Sequence, residues 1–449
     1  MSSEPLIVER ATREWQDLDA RHYLHPFTDF KSLAAEGSRV IARAEGVYLH
    51  DTEGNRILDG MAGLWCVNVG YGRRELADAA FRQMQELPYY NSFFKSAHPP
   101  AIELARRLAE LTPRQFNHVF FSGSGSEAND TILRMARRYW DVKGEPQRQV
   151  IISRVNAYHG STVAGASLGG MSAMHSQGGL PIPGVVHIEQ PYWFENGVDV
   201  SPEEYGLRAA RRLAEKIEEI GPGRVAAFIG EPIQGAGGVI IPPDSYWPEI
   251  QRICDRHGIL LVADEVICGF GRTGELWGSQ TYGFTPDAII ASKALTAGYF
   301  PMGAVILGPD LSDRLHAASV AVEEFPHGFT ASGHPVGSAI ALKAIDLIVR
   351  GDDTHGPLLD NVRLWDRQPL LDTFGQMQEI RTIEFRWPKI CSISSIGTTW
   401  PKWSRLDRPV TIRRTTLRTR RGAFSSRSRL AASWARWSTF SKNRRMKLR

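Results

Sequence analysis

Three short runs carry side chains whose types and spacing could do chemistry. Lys293 follows the apolar run Ile289-Ile290-Ala291-Ser292. An amine placed there reaches water poorly, and a desolvated lysine is a good Schiff-base nucleophile. An ordinary lysine at an exposed strand end is the plainer alternative. Asp264 and Glu265 end the apolar run Leu260-Leu261-Val262-Ala263. A buried carboxylate is costly without a partner. Asp264 could hold a proton on a ring nitrogen, or it could cap a helix or join an interdomain salt bridge. Ser122-Gly123-Ser124-Gly125-Ser126 leads into a helical stretch. Its small residues leave backbone N–H groups open at a helix N-terminus, which suits a phosphate. The spacing is neither GxGxxG nor GxxxxGK[ST]. A plain serine N-cap with Glu127 in the first turn fits equally well. Together, a phosphate cradle, a ring-nitrogen aspartate and a Schiff-base lysine are what pyridoxal phosphate requires.

The elements that must position these groups alternate. Residues 118–123, 149–154, 225–232, 259–266, 287–293 and 302–308 are short apolar runs, predicted as strands. Residues 126–140, 201–221 and 245–258 are predicted as helices, the second with an acidic first turn and Gly221 as its stop. Buried strands separated by helices predict an α/β fold: a mostly parallel sheet covered on both faces. Ligands of such sheets lie beyond the carboxyl ends of the strands. All three chemical runs fall there.

Composition bounds the class. A chain of 449 residues exceeds one compact core and suggests two or three domains. With 42% hydrophobic and 23% charged residues it is not a mostly disordered chain. Cys66, Cys254, Cys268 and Cys391 form no CxxC pair, so a reducing compartment is expected. No run reaches the ~18 apolar residues of a membrane helix, and the N-terminus lacks the apolar stretch of a signal peptide. A cytoplasmic protein with no membrane partner is expected.

The formal charge of +4 is uneven. Residues 351–449 hold 21 of the 53 basic and 8 of the 49 acidic residues, a balance of +13 that leaves −9 for 1–350. Six of the 12 tryptophans lie in that last stretch, which shows no sustained periodicity. It could be a basic nucleic-acid or membrane tail, a solvated segment, or the product of a shifted reading frame. The abrupt change of composition favours the last, so the charge does not argue for a nucleic-acid partner.

The first 350 residues resemble the class III (omega) aminotransferases, a fold type I family of pyridoxal phosphate enzymes, and are most like its β-alanine–pyruvate aminotransferase group. The resemblance rests on HPFTDF (25–30), GLWCVNVGYGR (63–73), FFSGSGSEANDT (120–131), NAYHGST (156–162), GEPIQGAGGVI (230–240), LLVADEVICGFGRTG (260–274), SKALTAGYFPMGAV (292–305) and HGFTASGHP (327–335). It implies transfer of an amino group from an ω-amino acid or amine, such as β-alanine, to pyruvate. Lys293 and Asp264 would be catalytic, Lys293 forming the Schiff base and Asp264 partnering the ring nitrogen. Ser124, Gly125 and Ser126 would hold the phosphate, Tyr158 and Val266 would sandwich the ring, and Glu231 would lie close by. Thr330 would reach the phosphate of the other subunit, implying a homodimer with shared sites. Trp65 and Phe27 would line the substrate pocket. His159 and His334 show no metal spacing and are expected to be structural, and no metal is expected.

The resemblance also divides the chain. Residues 1–65 would begin a small α+β domain, 66–335 would form the large cofactor domain, and 336–449 would return to the small domain. Family resemblance ends near 350, before the arginine that grips a substrate carboxylate, so the small domain would be incomplete at its C-terminal end. Ala294 stands where the family has glycine, Ala331 where an aromatic is common, and Ile267 where many members have glutamine. A decarboxylase or aminomutase on the same scaffold, or a catalytically impaired product, are the alternatives to transamination.

Overall fold

The computed structural model describes residues 9–113 and 116–351. The expectations for 352–449, including the shifted reading frame and the missing arginine, lie outside them.

Two sheets form. A three-stranded antiparallel sheet joins β1 (Ile41–Glu45), β2 (Tyr48–Asp51) and β3 (Arg56–Leu58). The larger sheet has β4 (His118–Ser122), β5 (Val150–Arg154), β6 (Val185–Ile188), β7 (Val225–Gly230), β8 (Leu260–Asp264), β9 (Ala288–Ala291) and β10 (Gly303–Leu307). Their order is β4-β10-β9-β8-β7-β5-β6. Only β10 runs against its neighbours, and every other adjacent pair is parallel.

The period of two along each central strand builds two cores. Ile152, Phe228, Leu261, Ile289 and Ile306 pack on one face. Ile151, Ile229, Val262, Ile290 and Val305 pack on the other. The first face is covered by the helices Pro202–Ile220, Tyr246–His257 and Pro335–Val349. The second is covered by Gly125–Val142 and Pro309–Ala321. Fully burying each Leu, Ile, Val or Phe contributes roughly 1.5–3 kcal/mol, so the sheet is a rigid platform.

Helix boundaries follow the sequence signals. Ser201 accepts the Glu204 N–H at 3.2 Å, proline opens the helix, and Gly221 at φ +96 ends it. Strand ends differ from expectation. β8 stops at Asp264 rather than 266, and β9 stops at Ala291 rather than 293. After β8 the Val266 N–H turns back to Asp264 Oδ1, and after β9 Lys293 opens a 3-10 turn. β6 and the three-stranded sheet were not predicted. Most of β1 and β3 is exposed, so neither has a buried face to impose alternation. Among the described residues, no helix is long and apolar enough to cross a membrane.

Candidate active site

The parallel strands end on one edge, and the functional residues follow within a few positions. Ser124–Ser126 come after β4, Tyr158 and His159 after β5, Glu231 after β7, Asp264 ends β8, and Lys293 comes after β9.

Asp264 is the centre of the arrangement and is 2% exposed. Its Oδ2 accepts from Asn129 Nδ2 at 3.0 Å and lies 2.7 Å from His159 Nδ1. Its Oδ1 accepts the Val266 N–H at 3.1 Å. His159 is held in turn at 3.2 Å from Ser153 Oγ. The carboxylate is thus fixed by three partners, which satisfies a buried acid. Its neighbour Glu265 serves another purpose. Both its oxygens accept backbone N–H groups, from Gly278 at 2.8 Å and Ser279 at 2.7 Å. Burial pushes the Glu265 carboxyl up to about 7.

Lys293 is the first residue of a 3-10 turn and has φ +49. Its amine has no hydrogen-bond partner among the described residues. Burial holds its pKa below the ordinary value, against the pull of Cys66, Asp264 and Glu231. Glu231 is buried, accepting the Tyr158 N–H on Oε1 at 3.0 Å and the Gly235 N–H on Oε2 at 2.9 Å. Burial raises its pKa, and His159 opposes that.

Ser124 caps the helix Gly125–Val142 by accepting the Glu127 N–H at 3.2 Å, while Glu127 accepts the Gly123 N–H at 2.6 Å. The capping reading is therefore correct, and it does not use the N–H groups that the phosphate reading needs. The N–H groups of Gly125 and Ser126 have no partner among the described residues. A Cβ on Gly125 would lie 3.1 Å from Val266 Cγ2 and 3.5 Å from Ser292 Cβ. Gly125 thus packs against both Val266 and the residue before Lys293.

Tyr158 is half-buried, with its ring 6.3 Å from that of Phe27. Phe27 is 63% exposed. Trp65 is buried against Ile267. It belongs to a turn of left-handed residues, a conformation costing about 1–2 kcal/mol per non-glycine residue. Thr330 is exposed, and its carbonyl accepts from Tyr89 Oη at 2.9 Å. None of the contacts around Asp264 includes it.

Sequence reasoning missed two partners of Asp264. Asn129 stands in the 120–131 motif with no role assigned, and the structural role expected of His159 does not by itself name Asp264 as its partner. The signal for Asn129 is its place beside Ala128, Thr131 and Ile132 on the buried face of a helix. A polar residue there needs a buried partner.

The residues fit pyridoxal phosphate. An unpartnered amine, a rigid carboxylate and open N–H groups at a helix start match its aldehyde, ring nitrogen and phosphate. A sheet ending in this set defines a fold type I pyridoxal phosphate enzyme. Residues 33–373 match the model of the class-III aminotransferases, and the chain belongs to that family. It is 60% identical over 342 residues to the putrescine–pyruvate aminotransferase of Pseudomonas aeruginosa, covering 76% of this chain and 74% of that one. A PMP-bound aminotransferase from Vibrio fluvialis superposes with TM-score 0.74 at 46% identity, covering 78% of this chain and 76% of that one. The omega transaminase of Pseudomonas jessenii in complex with PMP superposes with TM-score 0.73 at 42% identity, covering 74% of both chains.

Proposed function

We propose that this aminotransferase moves the terminal amino group of a small diamine or ω-amino acid to pyruvate. The observation that carries the proposal is the convergence of Lys293, the Asp264–Asn129–His159 network and the open N–H groups on one sheet edge. The name of the Pseudomonas aeruginosa relative supports a putrescine-like donor and pyruvate as acceptor.

When bound, the cofactor supplies an electron sink for the carbanion left as the amine loses its α-proton. Asp264 would keep the proton on the ring nitrogen, which strengthens that sink. Its three hydrogen bonds prevent it from turning away. Gly125 and Ser126 would donate to the phosphate, with Tyr158 and Val266 on the ring faces. Glu231 holds the Tyr158 backbone. Lys293 Nζ, whose pKa burial lowers, can accept the α-proton and return it one atom away. Trp65 and Phe27 would bound the amine.

A cytoplasmic homodimer, with Thr330 serving the partner's site, is part of the same proposal. So is the division into 1–65, 66–335 and 336–449.

The test is product analysis of the purified full chain with putrescine or β-alanine and pyruvate. Alanine formed without CO2 is expected. With β-alanine, ethylamine and CO2 without alanine would instead establish the decarboxylase alternative.

A further inference from the structure

Ala62, Gly63, Leu64 and Trp65 follow one another at φ +48, +59, +67 and +62. They form a single left-handed turn, which residues other than glycine avoid. Such backbone persists only where its surroundings over-determine it. Asp59 supplies that constraint. Its buried carboxylate accepts the Gly63 N–H on Oδ2 at 2.7 Å and the Met61 N–H on Oδ1 at 3.1 Å. Tyr71 Oη donates to the same Oδ2 at 2.7 Å. Burial and Asp59 push the Tyr71 pKa upward, so the phenol stays a donor.

Gly63 makes the closure possible. A Cβ there would lie 2.6 Å from Val67 Cγ2 and 2.8 Å from Tyr71 Oη. At the far end of the turn, Arg272 Nη2 donates to the Trp65 carbonyl at 3.1 Å. The result is a sharp division of side chains: Leu64 is 55% exposed, while Trp65 is 8% exposed and packed on Ile267. The turn also borders the loop that follows Lys293, because a Cβ on Gly298 would lie 3.1 Å from Cys66 Cβ.

We propose that Asp59, with Tyr71 as its hydrogen-bond donor, is a positioning residue of the amine pocket: it locks the Ala62–Trp65 turn and so fixes the Trp65 indole. The proposal rests on Trp65 being a wall of that pocket. Freed from the clamp, the indole moves, the amine binds less well, and a bulky amine is refused less strictly. The proton transfer at Lys293 is left alone.

The test compares the wild-type full chain, Asp59→Asn, Tyr71→Phe, Trp65→Ala and the Asp59→Asn/Trp65→Ala double variant. It reads hydrogen exchange of residues 61–67, then kcat and KM for a linear diamine and for an arylalkyl amine. Asp59→Asn exchanges one acceptor oxygen for a donor. It is expected to speed exchange of 61–67 and raise the diamine KM roughly tenfold, with kcat within about twofold. It should also narrow the preference for the linear amine. Tyr71→Phe should act in the same direction, less strongly, and it carries the test if Asp59→Asn does not fold. In the Trp65→Ala background, Asp59→Asn should add nothing to KM.

Unchanged exchange in both single variants overturns the proposal. So does a KM shift that persists in full without Trp65. If Trp65→Ala alone leaves the amine preference unchanged, the pocket-wall reading has failed, and the proposal fails with it.

Discussion

Lys293 carries two costs at once. Its φ of +49 is a backbone strain of about 1–3 kcal/mol, and burial opposes its ammonium form. The lysine pKa is lower folded than unfolded, so the unfolded chain holds more protons between the two values. Stability therefore rises as pH climbs through that window, and the penalty is complete below the folded pKa. Lys293→Met in the cofactor-free protein should raise the melting temperature near neutral pH, with the gain shrinking toward the ordinary lysine pKa of about 10.4. Equal melting curves at all pH values would show that the amine is not desolvated. Asp264 is the complementary case. Asparagine there keeps the shape but loses the charge facing the ring nitrogen. Turnover of Asp264→Asn should fall about a hundredfold or more, with the fold intact by circular dichroism.

At the element scale, the loop after β5 and the helix after β4 are pressed together. A Cβ on Gly160, which has φ +126, would lie 2.5 Å from Ser126 Oγ and 2.7 Å from Ser126 Cα. Gly160→Ala should cost about 1–3 kcal/mol and weaken cofactor binding, as thermal melts and cofactor titration would show. Glu265 ties β8 to the short helix Gly278–Thr281. Its pKa rises from 4.5 to about 7 on folding, so the folded chain holds the extra proton across that range. Stability falls as pH rises through the window, and the loss is complete above it. Glu265→Gln should flatten that slope, so the melting temperature of the wild type relative to the variant should fall between about pH 5 and about pH 8. These two elements also show what the sequence could reveal. The strands β5 and β7–β10 were legible because both faces are buried and the runs are largely apolar, and the edge strand β4 because of its apolar run Val119-Phe120-Phe121. The site was legible where a strand end met a chemically unusual residue, as at Asp264 and Lys293. The contacts of Asn129 and His159 with Asp264 were not legible because they exist only across elements, at sequence separations of 135 and 105 residues. The left-handed turn at Ala62–Trp65 escaped because only Gly63 hints at its conformation.

At the scale of the whole molecule, the proposed sharing of sites between two subunits is testable through Thr330. If Thr330 serves the partner's phosphate, Thr330→Ala should loosen the cofactor about tenfold, as loss of one hydrogen bond to a charged group predicts. Mixing Thr330→Ala chains with Lys293→Ala chains should then recover activity, because one site per mixed dimer regains both residues. Absence of recovery in verified mixed dimers would place both residues' roles in one chain. The charge division matters here too, since the −9 balance of 1–350 covers most of the family match, residues 33–373, and the net +4 does not describe it. The central claim is that Lys293 holds the cofactor and that the chain passes an amino group through it. It is tested most directly by the visible absorption of the cofactor-loaded protein during sequential addition of putrescine and pyruvate. Putrescine should bleach the band, pyruvate should restore it with one alanine per site, and Lys293→Ala should show neither change. The same bleaching and recovery in Lys293→Ala would contradict the assignment.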